Sequence, residues 1–269
     1  MPERGHEERH GEGAWYERHM GRWSRVTGLP FIQWLSCPKG QEWLDVGCGT
    51  GAFTEVILSQ CAPARVFGID PAPDQIAYAV DKFDDDRVAF AVGDATKLDF
   101  PDDAFDAATA ALVLNFVSDR ARAAAEMARV VRPRGTVAAY VWDSAGGRTV
   151  TQPLWEAIAA VAPASKGRRA GRPRGADIES LSEVWQGAGL EDVETHAIEI
   201  EAAFDDFDDY WDSNIMGSRV GLRYRDLDPD DRTRVRAKLK ESLAVSEDGR
   251  IPVPARAWAV RGRVPAAGS

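Results

Sequence analysis

From residue 42 onward, short apolar runs alternate with segments of helical periodicity. Glu42 to Val46 reads as a strand, Ala52 to Gln60 as a helix, and Arg65 to Ile69 as a strand. Asp74 to Asp81 reads as a helix, and Val88 to Val92 and Phe105 to Leu112 as strands. Asp119 to Val131 is a helix and Thr136 to Trp142 a strand. Strands alternating with helices of this length imply right-handed βαβ units, and so a parallel sheet covered on both faces.

On either side the pattern differs. Residues 1 to 13 are polar and are expected to be mobile. Trp15 to Leu35 reads as helical and is expected to be split by Gly28 and Pro30. After Trp142 the rhythm breaks into a loop, Asp143 to Thr151, and a helix, Gln152 to Val161. A basic, Gly-rich run then carries Lys166, Arg168, Arg169, Arg172 and Arg174. A solvated loop is the ordinary reading of such a run, and an anion-binding lid the sharper one. Ile178 to Gly187 is a helix ended by Gly189, and Val193 to Ala203 alternates as a strand. Helical segments follow to Leu243, the last one opened by Asp228 as N-cap and Pro229 at the first position. Ala255 to Val264 reads as a final strand.

The expected organisation is therefore a tail and cap helix (1–36), an α/β core (37–143), and a C-terminal half (144–269). The last part carries inserted cap segments at 144–176 and 204–250.

Composition narrows the function classes. The 269 residues carry a net charge of −10, and an acidic surface does not displace the counterions of nucleic acid, so a nucleic-acid partner is not expected. No run approaches the ~18 apolar residues of a membrane span, and the charged start lacks the apolar stretch of a secretory signal. Cys37, Cys48 and Cys61 are odd in number and lack C-x-x-C spacing, so neither a disulfide framework nor a metal site is expected. A reducing cytoplasm is the expected location, with the chain a monomer or homodimer.

The strongest chemical signal is Leu44-Asp45-Val46-Gly47-Cys48-Gly49-Thr50-Gly51, a buried strand running into a Gly-rich turn and then a helix. Glycines let the backbone turn with positive φ and approach a ligand closely, and the helix N-terminus offers free N–H groups. Asp45 separates two ligand classes. A doubly anionic dinucleotide pyrophosphate would be repelled by it, whereas a ligand with an ammonium group would be held. S-adenosylmethionine carries an ammonium, a sulfonium and one carboxylate. The next strand ends in Gly68-Ile69-Asp70, placed to accept hydrogen bonds from ribose hydroxyls. The third ends in Gly93-Asp94-Ala95, where a carboxylate and an N–H suit adenine. The fourth leads through Leu112 to Asn115, under the methionine arm and facing the substrate.

With these motifs the sequence resembles the class I S-adenosylmethionine-dependent methyltransferases, within them the type 11 group that includes quinone-biosynthesis C-methyltransferases. The resemblance rests on LDVGCGTG at 44–51, GID at 68–70, GDA at 93–95, FDAATAALVLNF at 105–116 and VVRPRGTV at 130–137. It implies a Rossmann-like fold with a mostly parallel seven-stranded sheet, helices on both faces and a helical cap. It implies a cofactor site of Asp45, Gly47, Cys48, Gly49, Gly51, Asp70, Pro71, Asp94, Ala95 and Leu112. The opening segment 16–24 is similar to the lead-in of bacterial members, which implies lid or substrate positions at Tyr16, Met20, Arg22 and Trp23. One departure is Pro133-Arg134-Gly135, where the family often has Pro-Gly-Gly; Arg134 is expected on a solvent-facing turn.

The implied reaction is in-line displacement of a methyl group by an O, N or C atom of a small-molecule acceptor, leaving S-adenosylhomocysteine. Alignment of the reactants can supply roughly 7–11 kcal/mol of such a barrier, so no catalytic constellation need be visible. His19, Asp143 and His196 are weak candidates for a base, and Asn115 is the better candidate for orienting the acceptor. Cys48 is read as a packing residue. Two rival readings stand: an NAD(P)-dependent Rossmann oxidoreductase, which would share the glycines, and a non-catalytic S-adenosylmethionine-binding protein.

Overall fold

The computed structural model describes residues 17, 21–163, 178–216 and 218–267. Seven strands form one sheet in the order β3-β2-β1-β4-β5-β7-β6. They are β1 (Glu42–Val46), β2 (Arg65–Asp70), β3 (Val88–Val92), β4 (Phe105–Ala111), β5 (Val131–Trp142), β6 (Glu191–Phe204) and β7 (Ile251–Arg263). The first four pairings are parallel, with Leu44 opposite Phe67 and Ala108, and Thr109 opposite Ala138. β7 runs against β5: Arg134 N–H donates to Val264 C=O at one end and Asp143 N–H to Arg256 C=O at the other.

The chain divides into two compact units. The first comprises residues 1–141, 176–198 and 258–269. Its sheet is covered on both faces, as the periodicity predicts. On one face α1 (Arg22–Leu35) and α2 (Ala52–Cys61) bring Phe31 and Phe53 against Tyr140, with ring centroids 4.7 and 5.8 Å away. The neighbouring residues Ala139 and Val141 point the other way, as alternation along a strand requires. They join the cluster that holds Met127 of α4 (Arg120–Val130) and Trp185 of α6 (Ile178–Gly187). Trp185 Nε1–H donates to Val137 C=O at 2.9 Å, which satisfies the one polar atom of a fully buried indole. Between β2 and β3 lies α3 (Pro73–Lys82), opened by Pro73 at its first position.

The expected break of the first helix does not occur: α1 runs through both Gly28 and Pro30. Two local facts explain this. A Cβ on Gly28 would come within 2.8 Å of the Phe53 ring, so the glycine is where α2 approaches most closely. Trp23, Thr27, Phe31, Ile32 and Leu35 are buried along one side, and packing of that stripe outweighs the hydrogen bond that Pro30 forgoes. Strand ends differ as well. β5 starts at Val131 and β7 at Ile251, earlier than the expected Thr136 and Ala255.

The turn entering β5 accounts for the departure from Pro-Gly-Gly. Arg134 is exposed and left-handed, φ 67°, a conformation glycine adopts without strain. Arg134→Gly should therefore raise stability by about 1 kcal/mol, the relief of a left-handed side chain less the added freedom of the unfolded chain. Chemical denaturation checks this, and a loss of stability would refute it.

The second unit comprises residues 142–175 and 199–257. In it α9 (Pro229–Ser242) packs on α5 (Gln152–Val161), burying Val235, Leu239, Leu154 and Ile158. α7 (Phe207–Ile215) and α8 (Arg219–Arg225) precede α9. Tyr210 of α7 donates to Val150 C=O at 3.0 Å. Each of the three helices opens on a side-chain cap, Asp206, Ser218 and Asp228 respectively.

Candidate active site

The carboxyl ends of β1, β2, β3 and β4 are where the sequence places its chemistry, and the parallel pairings align them on one edge. Gly47, Gly49 and Gly51 take φ of 74°, 55° and 79°, coiling the chain between β1 and α2. A Cβ on Gly47 would also lie 2.7 Å from Val113 Cβ, so this position admits no side chain. The turn is tied to β2 by Gly47 and Cys48 N–H groups, both donating to Ile69 C=O.

Asp45 is the unusual group. It is 0% exposed; its Oδ2 accepts from Thr54 Oγ1 at 2.7 Å, and its Oδ1 has no hydrogen-bond partner. Burial pushes its pKa up to about 7, the Thr54 hydroxyl works against that, and nearby Asp70 adds to it. A buried carboxylate oxygen without a donor is costly unless something cationic approaches it. The ammonium of S-adenosylmethionine is such a group, so the donor set here fits that cofactor.

Asp70 works differently. Its Oδ1 accepts from Ala72 N–H at 2.9 Å and its Oδ2 from Gly49 N–H at 3.1 Å. It thus braces the glycine turn from the neighbouring strand. Burial raises its pKa in spite of these two bonds. Pro71 follows it, exposed. Asp94 is exposed, and its Oδ1 takes both the N–H and the hydroxyl of Thr96 at 2.8 Å, which hold its carboxyl below the usual range. Ala95 beside it is half-buried. Cys48 is buried, and burial first and then Asp45 and Asp70 raise its pKa well above that of an ordinary thiol. It remains a thiol and a packing group, as expected.

Leu112 closes β4 with φ 58°, rare for a branched residue, and its N–H donates to Tyr140 C=O. Outliers of this kind cluster at functional sites. Three residues on, the Asn115 side-chain oxygen is enclosed and accepts no hydrogen bond. Phe116 next to it is 74% exposed.

The other candidates fare unevenly. Tyr16, His19, Met20 and the basic run 166–174 lie outside the described residues. Arg22 lies over the Trp23 ring at 4.4 Å, and Trp23 is buried within the packing of α1. His196 is not brought to the site. It sits on the edge strand β6 and stacks on Trp34 at 5.3 Å, beside the end of α1 that leads into the start of β1. That is the edge of the sheet opposite the glycine turn. Asp143 is held in an ion pair: Arg256 Nε and Nη2 donate to its Oδ2 at 2.9 and 2.6 Å, and Gly146 N–H to its Oδ1 at 2.7 Å.

Sequence reasoning missed two sets of residues. Thr54 stands nine positions from Asp45 and meets it only because α2 folds back over β1. Glu17 bonds Thr50 and Arg25, and Lys82 at 2.9 Å; Lys82 also donates to Thr50 C=O and pairs with Glu55 at 2.9 Å. Burial disfavours the Glu17 carboxylate, but these bonds prevail and lower its pKa. The cluster pins residue 17 against the turn, and no local spacing announces it.

The site and sheet order define a Rossmann-like fold of the class I methyltransferase kind. Residues 44–139 match the family model of a methyltransferase domain, type 11. The chain is 34% identical over 138 residues to the 2-methyl-6-phytyl-1,4-hydroquinone methyltransferase of Synechocystis, 51% of this chain and 41% of that enzyme. It therefore spans less than half of that curated relative's length. Among solved structures it is similar to the YcgJ protein of Bacillus subtilis (TM-score 0.58, 16% identity, 89% of this chain and 98% of that one). It is also similar to phosphoethanolamine N-methyltransferase 2 of Haemonchus contortus in complex with S-adenosyl-L-methionine (TM-score 0.52, 18% identity, 88% and 51%). At these identities the structures speak for the fold.

Proposed function

We propose that this protein is an S-adenosylmethionine-dependent methyltransferase acting on a small-molecule acceptor. The observation that carries the reading is the enclosed Asp45 carboxylate, one oxygen unpartnered, under a left-handed glycine turn. It suits an ammonium and opposes a pyrophosphate, which sets it against a dinucleotide oxidoreductase.

When bound, S-adenosylmethionine supplies an electrophilic methyl group on a sulfonium. The chain's own residues then bind and align. Asp45 would hold the amino group, Asp70 the ribose hydroxyls, and Asp94 with Ala95 the adenine. Gly47, Gly49 and Gly51, with Cys48 between them, would let the backbone approach the methionine moiety. Leu112 would flank it, and Asn115 would orient the acceptor through its enclosed oxygen. No general base is assigned.

The Synechocystis relative is named for a hydroquinone, which supports a small aromatic acceptor here. No helix among the described residues is long and apolar enough to cross a membrane. A reducing compartment remains our reading of the three free cysteines, Cys37, Cys48 and Cys61.

Calorimetric titration with S-adenosylhomocysteine and with NAD tests the reading. The wild type should bind the first and not the second. Asp70→Ala should weaken binding about 10- to 100-fold, the loss of charge-assisted bonds to the ribose and of the brace on the turn. Binding of NAD alone, or indifference to Asp70→Ala, would reject the assignment. Tight binding without turnover across phenols, quinones and amines would leave a binding protein instead.

A further inference from the structure

The second unit carries a groove of about 850 Å³ that the cofactor chemistry does not use. That volume lies in the range of small-molecule sites. One wall is α9, which presents Arg232, Arg236 and Lys240 at successive four-residue steps and so on one stripe. From Arg232 to Lys240 the stripe spans about 12 Å of helix. The apolar surface of the groove comes from Phe207 and Tyr224, both half-buried.

The charges in this groove do not cancel. Two carboxylates lie on its rim, Asp206 and Asp208. Asp206 Oδ1 accepts the Asp209 N–H as the cap of α7, and Asp208 pairs with Arg236 at 2.9 Å. Arg232 and Lys240 have no ion-pair partner among the described residues, and Arg232 Nε is enclosed without a hydrogen bond. In a chain of net charge −10, the three cations and two carboxylates lining this groove leave it with one net positive charge, a local positive field. Burial raises the Tyr224 pKa, and Arg232 and Arg236 both pull it down, so both guanidinium groups act on the hydroxyl inside the groove.

The aromatic rings of this unit already hold cations and one another. Arg236 lies 5.5 Å from the Phe207 ring and 5.2 Å from that of Trp211, and Lys240 lies 5.6 Å from Phe207. Trp211 meets Tyr224 edge-on at 5.0 Å. These contacts hold the cations beside an apolar surface.

We propose that this groove is a binding site for a small aromatic anion, a phosphate or carboxylate carried on a flat apolar body. Arg232 and Lys240 take the anion through charge-assisted bonds, and Phe207 and Tyr224 take the ring.

Calorimetric titration of the full chain with phenyl phosphate, inorganic phosphate and phenol tests this. Phenyl phosphate should bind more tightly than either part alone, and more weakly as salt rises. Lys240→Glu and Arg232→Gln should each weaken phenyl phosphate at least about tenfold, one charge-assisted bond apiece. Lys238→Glu makes the same charge change on the same helix, at a position that does not line the groove, and should leave binding within about twofold. Lys240 is exposed, so its variant is expected to fold, and the thermal midpoint of each variant checks that. Three results would overturn the proposal: no binding of phenyl phosphate, inorganic phosphate binding as tightly as phenyl phosphate, or Lys238→Glu weakening binding as much as Lys240→Glu.

Discussion

Asp45→Asn should stabilise the ligand-free protein while removing most of its affinity for S-adenosylhomocysteine. The two effects share one cause. In the folded chain Asp45 has a pKa of about 7, against an ordinary value of 3.8. The folded state therefore holds this proton more tightly than the unfolded state does. Below the ordinary value both states are protonated, and Asp45 neither adds nor removes stability. As pH rises from there to about 7, the unfolded chain releases the proton first, and stability falls. Above pH 7 the deficit reaches about 4 kcal/mol at 1.36 kcal/mol per pKa unit. Asparagine keeps the side-chain shape and carries no charge to desolvate. The variant's advantage in melting temperature should accordingly be larger at pH 8 than at pH 5. Ligand affinity moves the other way: losing the carboxylate charge that would hold the ammonium should cost about 100- to 1,000-fold. Wild-type affinity should itself decline as the pH drops below 7, because the protonated acid repays nothing to a cation. A variant that binds as tightly as wild type would remove Asp45 from the site.

Asp143→Ala should cost about 3 kcal/mol in stability, the lower end for breaking an enclosed ion pair, because Arg256 retains some exposure. The carboxylate is 1% exposed and takes three donors, two from Arg256 and one from Gly146. Backbone bonds interlock the same residues: Arg148 N–H donates to Asp143 C=O, and Arg256 N–H to Arg148 C=O. Alanine leaves the guanidinium facing a hole, with Glu199 still 3.6 Å away. For a chain of this size the loss corresponds to a melting temperature lower by about 6–12 °C. Adding Arg256→Met should restore much of it, since the stranded charge is then gone. A fall of under about 1 kcal/mol for Asp143→Ala would show that the pair is not stabilising.

The glycine turn and the strand-end aspartates were legible because they are local. A strand, a left-handed turn and a helix N-terminus follow one another within ten residues, and each has its own sequence signature. Other features depend on meetings across the fold. Pro30 and Gly28 look like a helix break until Phe53 is known to press on Gly28. His196 looks like a base until Trp34 is found stacked on it. Asp143 looks like one until Arg256, 113 positions away, is found gripping it. Thr54 and Glu17 draw their meaning from Asp45 and Thr50, which lie nearby in space and not in register. The groove beside α9 was hidden for the same reason: its basic stripe reads as an ordinary solvated helix face until Phe207 and Tyr224 are placed opposite.

The order of strands also bears on synthesis. β7 lies between β5 and β6, so the sheet stays open between those strands until residues 251–263 have left the ribosome. Until then β5 and β6 each present an unpaired edge, a template for wrong pairing. A nascent chain stalled shortly before residue 251 should therefore be sensitive to protease and prone to aggregate, although every residue of the glycine turn has long since emerged.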